Sequence, residues 1–89
     1  MFRVQMRKRA YKRLQDLSPT HHNTIAELID ILKTDPVPYH DFDVAKLSGR
    51  DNDYRVRVGN IRAIYTIDWT EKIITISRLE FRGRAYKPR

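Results

Sequence analysis

The sequence contains no cysteine, which excludes disulfide cross-links, thiolate nucleophiles and cysteine-ligated zinc together. It has no long apolar run either: nothing in its 89 residues approaches the roughly 20 that a membrane-spanning helix needs. The opening stretch MFRVQMRKRAYKR is basic but lacks an apolar segment, so no secretory leader is expected. Neither a glycine-rich phosphate loop nor a nucleophile elbow occurs. The three histidines, His21, His22 and His40, do not have metal-ligand spacing. The expected protein is cytoplasmic, binds no membrane, and works without metal or cofactor.

What is present is positive charge, unevenly spread. The formal net charge is +7. Residues 1–13 carry six cations and no acid, residues 14–53 eight acids against three cations, and residues 54–89 nine cations against three acids. Cations at both ends of the chain and acids in the middle suggest a basic face opposite an acidic one, the distribution that suits a phosphate backbone. At this length a single domain, 1–89, is expected, burying about 60–65% of its unfolded surface.

Periodicity supplies the architecture. FRVQM alternates Phe2, Val4 and Met6 against Arg3 and Gln5, a strand pattern. From Lys8 the period changes: Ala10, Leu14 and Leu17 mark one side of an amphipathic helix that ends at Ser18-Pro19. A second helix is expected from Pro19 or Thr20 to about Lys33, capped by Ser18, with Ile25, Leu28, Ile29 and Leu32 inward. So short a connection implies a helical hairpin, and its histidine-bearing turn is expected away from the sheet face. A long polar connection follows, with a short extended piece at 44–47. Three strands close the chain: 54–58 and 61–67 joined by the tight turn Gly59-Asn60, then, after a turn at 68–72, 73–79. The IITI run marks this last strand as central. The fold class is therefore α+β: an N-terminal strand, a helical hairpin, then a three-stranded antiparallel meander packed on the helices.

The helices must cover the Val/Ile/Tyr face of the meander, which leaves Arg55, Arg57 and Arg62 on the opposite face. Like charges on neighbouring strands repel, at up to roughly 1 kcal/mol per close pair. Arg82, Arg84 and Tyr86 in the basic tail, with Lys46, complete a cluster suited to a polyanion, because guanidinium is planar, permanently charged and bidentate toward phosphate. If that polyanion is RNA, its 2′-hydroxyl can attack the adjacent phosphate. Arginines could stabilise the charge that develops but are poor general bases. Proton transfer would fall to Tyr86, Lys46 or the RNA's surroundings. His40 is a weaker candidate, and Trp69 reads as a packing lid before a base-stacking platform.

The run KLSGRDNDYRVRVGNIRAIYTIDWTEKIITISRLEFRGRAYK resembles the carboxy-terminal half of the RelE/ParE toxin superfamily. The matching pieces are K-L-x-G at 46–49, the strand Y-R-V-R-V-G, R-x-I-Y at 62–65 and the closing R-G-R-A-Y. VPYHDFDVAKL is similar to archaeal RelE members in particular, and the helical hairpin extends the resemblance over nearly the whole chain. It implies a RelE-like microbial RNase fold and a type II toxin, a ribosome-dependent mRNA endonuclease that cuts mRNA in the A site and inhibits translation. By matching positions, Arg62 falls on the phosphate-binding arginine, Arg82 or Arg84 on the arginine of the last segment, and Tyr86 on the terminal tyrosine. Arg55 and Arg57 stand where bacterial members often carry lysines, which leaves the proton acceptor open. The implied partners are the ribosome with mRNA in its A site and a cognate RelB-like antitoxin, covering the cationic face with acidic and apolar segments. Two other readings stand beside this one: a ParE-like inhibitor of DNA gyrase that cuts no RNA, and a non-catalytic RNA-binding module. Arg62, the RGR run and Tyr86 favour the nuclease.

Overall fold

A computed structural model of the chain describes residues 1–81. The element order is β1 (Arg3–Met6), α1 (Lys8–Gln15), α2 (Pro19–Thr34), β2 (Asp43–Lys46), β3 (Asp53–Val58), β4 (Ile61–Asp68) and β5 (Ile73–Phe81). The α+β class holds, but the sheet is larger than a three-stranded meander. It has five strands in the order β1-β5-β4-β3-β2. The stretch expected only as a short extended piece is the edge strand β2, antiparallel to β3, with Val44 in the core. β1 closes the other side, parallel to β5, so β5 is central where β1 covers it.

The two helices meet at a short connection. Ser18 caps α2 as its sequence position requires, its side chain accepting from the His21 backbone N–H. The interior is one apolar cluster. Ala10, Leu14, Ile25, Leu28 and Leu32 of the helices pack with Tyr54, Val56, Ile61, Tyr65, Ile67, Ile74 and Ile76 of the sheet. The turn between the helices is not remote from the sheet: the His21 ring lies 6.1 Å from the Phe81 ring at the end of β5. Trp69 stands edge-on to Phe2 with centroids 5.6 Å apart and stays half-exposed, a packing contact.

The β3–β4 hairpin has the register that alternation requires, with Val58 opposite Ile61 and Tyr54 opposite Tyr65. Gly59 has φ +58 while Asn60 does not take a positive φ, the geometry of a turn with glycine first. Buried Tyr65 donates its hydroxyl to the Pro36 carbonyl at 2.8 Å, tying the loop after α2 to the sheet.

An irregularity in β5 shapes the open face. Between β4 and β5 the pairing runs Tyr65↔Ile76 and then Ile64↔Arg78, so Ser77 is an extra residue, a bulge. Its hydroxyl donates to the Ile64 carbonyl at 3.3 Å. Uninterrupted alternation would put Ile74, Ile76, Arg78 and Glu80 on one face. The bulge buries Leu79 instead and turns Arg78 and Glu80 to the open side. It also carries β5 to Phe81, two residues beyond the expected end.

Candidate functional site

The open face is built from the strand residues that the core does not use. Arg55, Arg57 and Arg62 all lie on it, half-buried, while Tyr54, Val56, Ile61 and Ala63 point to the helices. Arg57 and Arg62 are direct cross-strand partners. The register extends this pair into a row across four strands: Asp43, Arg57, Arg62 and Glu80. A neighbouring row contains Ala45, Arg55, Ile64 and Arg78.

Two carboxylates that sequence reasoning did not connect to the site contact all four arginines. Asp43 lies 3.8 Å from Arg55 and 3.6 Å from Arg57. Glu80 lies 3.5 Å from Arg62 through one oxygen and 3.0 Å from Arg78 through the other. Only the Arg78 contact is a hydrogen-bond distance, so the three central guanidinium groups are offset in charge without being fully engaged. Their Nε atoms are buried and have no hydrogen-bond partner among the described residues. The long ion pairs leave the terminal guanidinium nitrogens with donor capacity on a surface where like charges oppose one another, a cost that an anionic ligand relieves. Asp53 is differently placed: both its oxygens are taken, by Thr66 at 2.7 Å and Arg50 at 2.9 Å.

The structure separates Lys46 from this group. It pairs with Tyr54 and shares Val44's side of β2, so strand alternation directs it to the helix-bearing side. Arg82, Arg84 and Tyr86 lie outside the described residues. His40 is an exposed residue of the loop that precedes β2. Arg78 is the cation that sequence reasoning missed. Its visible signal was only its place in SRLEF, and the bulge decides where it points.

A groove of about 680 Å³ runs between α1 and the end of β5, where Lys8, Arg9, Lys12 and Arg13 face Arg78 and Glu80. The cationic side of α1 and the open sheet face therefore meet at Arg78 and Glu80. Arg13 is also structural: its Nε donates to the Leu79 carbonyl at 3.4 Å and its guanidinium sits 5.6 Å from the Phe81 ring centroid.

A small two-layer α+β domain that presents guanidinium groups on the sheet face opposite its core is the class of protein defined so far. No family model matches the chain. A protein of Methanocaldococcus jannaschii named "Putative toxin RelE1" is 43% identical over 86 residues, spanning 97% of this chain and 96% of that one. The toxin-antitoxin reading is thereby placed: the chain belongs to the RelE toxin family. The archaeal RelE-RelB complex from Pyrococcus horikoshii OT3 contains a chain of the same fold, with TM-score 0.84, 43% identity, and coverage of 94% of this chain and 98% of that one. The intact E. coli RelBE toxin-antitoxin complex matches in fold alone, with TM-score 0.77 at 15% identity, over 94% of this chain and all of that one. No helix of the described residues is long and apolar enough to cross a membrane.

Proposed function

We propose that this protein is the toxin of a toxin–antitoxin pair and cuts mRNA in the A site of the translating ribosome. One observation carries the reading: Arg57 and Arg62 are held side by side on the sheet face opposite the core, at 3.5 Å or more from the nearest carboxylate oxygens among the described residues. In the reaction the ribose 2′-oxygen loses its proton and bonds to the adjacent phosphorus, and the bond from phosphorus to the 5′-oxygen breaks. The products are a 2′,3′-cyclic phosphate and a 5′-hydroxyl, with the proton returned to the leaving oxygen through solvent or a side chain. Negative charge builds on the phosphate oxygens, and preorganised guanidinium donors stabilise it more in the transition state than in the ground state. Arg62 is assigned that role, Arg55 and Arg57 hold the neighbouring backbone, and Arg82, Arg84 and Tyr86 complete the site from the tail. A RelB-like antitoxin is the expected inhibitor, its acidic side chains competing for the same arginines.

The test is to add the protein to ribosomes translating a defined mRNA and to map new 5′ ends. Ends clustered at A-site codons, abolished by prior addition of the cognate antitoxin, are the expected outcome. Intact mRNA together with inhibition of gyrase supercoiling would transfer the reading to a ParE-like activity.

A further inference from the structure

We infer that Glu80 is a positioning residue: it fixes Arg62 for phosphate by bridging it to Arg78, and it weakens RNA binding in doing so. The inference rests on the nuclease reading above. Arg62 has Arg57 as its partner on β3 and Glu80 as its partner on β5. Repulsion from Arg57 pushes the Arg62 guanidinium away, and Glu80 draws it from the other side. Among the described residues, Glu80 is the carboxylate that contacts Arg62. Its own position is set by the 3.0 Å contact with Arg78, the shortest ion pair on the arginine rows. The Ser77 bulge makes the device possible, because without it Leu79 would occupy the open face in place of Arg78 and Glu80.

Two opposite effects follow from one carboxylate. A negative charge 3.5 Å from the phosphate-binding guanidinium repels the phosphate and lowers affinity. The same charge holds an otherwise loosely restrained side chain in one arrangement, which favours the transition state. Glu80→Gln keeps the shape and removes the charge. Its saturated complex with ribosome-bound mRNA should cut about 10-fold more slowly, while binding tightens roughly 3-fold or more at low salt. A merely structural role would worsen both quantities together.

The experiment compares wild type, Glu80→Gln and Glu80→Asp. It measures binding to a 2′-deoxy mRNA analogue on the ribosome, single-turnover cleavage of normal mRNA, and thermal unfolding. Tighter binding with slower cleavage in Glu80→Gln, partly restored in Glu80→Asp, is the expected result. Unchanged cleavage, or weaker binding, overturns the role. A loss beyond about 10³-fold that added formate restores would also overturn it, since Glu80 would then be the proton acceptor. If Glu80→Gln is unfolded, Arg78→Ala, which removes the cation that sets Glu80, replaces it: its saturated complex should cut more slowly than wild type, and cleavage at the wild-type rate overturns the bridge. Failure of wild type itself to cut removes the nuclease reading and this inference with it, whereas an active wild type with an equally active Glu80→Gln removes only the inference.

Discussion

Arg62 and Tyr65 lie on the same strand three residues apart, and they show two ways a single side chain matters here. Arg62 points to the open face, half-exposed, with Arg57 and Glu80 on either side. Arg62→Ala should leave thermal stability within about 1 kcal/mol, because its ion pair is partly exposed. It should slow cleavage in saturated ribosome complexes by about 10²-fold, the scale for losing one preorganised donor. Wild-type cleavage by bound Arg62→Ala would refute the assignment. Tyr65 points the other way, into the core, and donates to the Pro36 carbonyl. Burial, with Tyr54 beside it, pushes its hydroxyl above the ordinary tyrosine value. Tyr65→Phe should cost about 1–2 kcal/mol by leaving that carbonyl unpaired. The sign of the pH effect follows: above roughly pH 10 an unfolded tyrosine loses its proton while folded Tyr65 keeps it, so stability falls as pH rises. Tyr65→Phe should therefore show a shallower alkaline fall in urea-unfolding free energy.

At the scale of elements, the charges on α1 and the turn after β3 are informative. The first turn of α1 has no acidic residue and opens with Lys8 and Arg9, which oppose the helix dipole. Replacing Lys8 by Glu should raise the melting temperature and weaken ribosome binding, separating what stabilises the helix from what the cationic groove needs. Gly59 sits at φ +58 with nothing within 4 Å of where a Cβ would stand, so the backbone alone requires glycine. Gly59→Ala should cost about 1 kcal/mol in denaturant unfolding without changing the pairing of β3 with β4. A larger loss would mean that the hairpin register had moved.

For the molecule as a whole, the apolar layer and the cationic layer divide the labour. The helices and one sheet face supply the core, and the other face carries the arginines, with Ile64 the apolar residue between Arg55 and Arg78. With a net charge of +7, binding to ribosomes should weaken steeply as salt rises. The logarithmic slope for Arg9→Ala should be shallower than wild type by nearly one unit, with cleavage by the bound complex unchanged. Loss of cleavage at saturation would bring Arg9 into the reactive site and contradict this division.

Alternation along 54–67, the Ser18 cap, the Gly59-Asn60 turn and the resemblance to RelE toxins were all legible in the sequence by itself. Each depends on residues close in the chain, or on a contiguous motif. That was enough to place Arg55, Arg57 and Arg62 on the uncovered face. The tertiary structure decided what surrounds them. It made 43–46 an edge strand that brings Asp43 to Arg55 and Arg57, and it put β1 parallel to β5. It sent Lys46 to the other side. It also inserted Ser77 as a bulge, which brought Arg78 and Glu80 beside Arg62. Strand partners and bulges are chosen by contacts between distant segments, such as Gln5 with Thr75, 70 residues apart. A local pattern fixes which way a side chain faces where a strand alternates without interruption; the packing of the whole sheet fixes the bulge that redirects Arg78 and Glu80, and which charge each side chain meets.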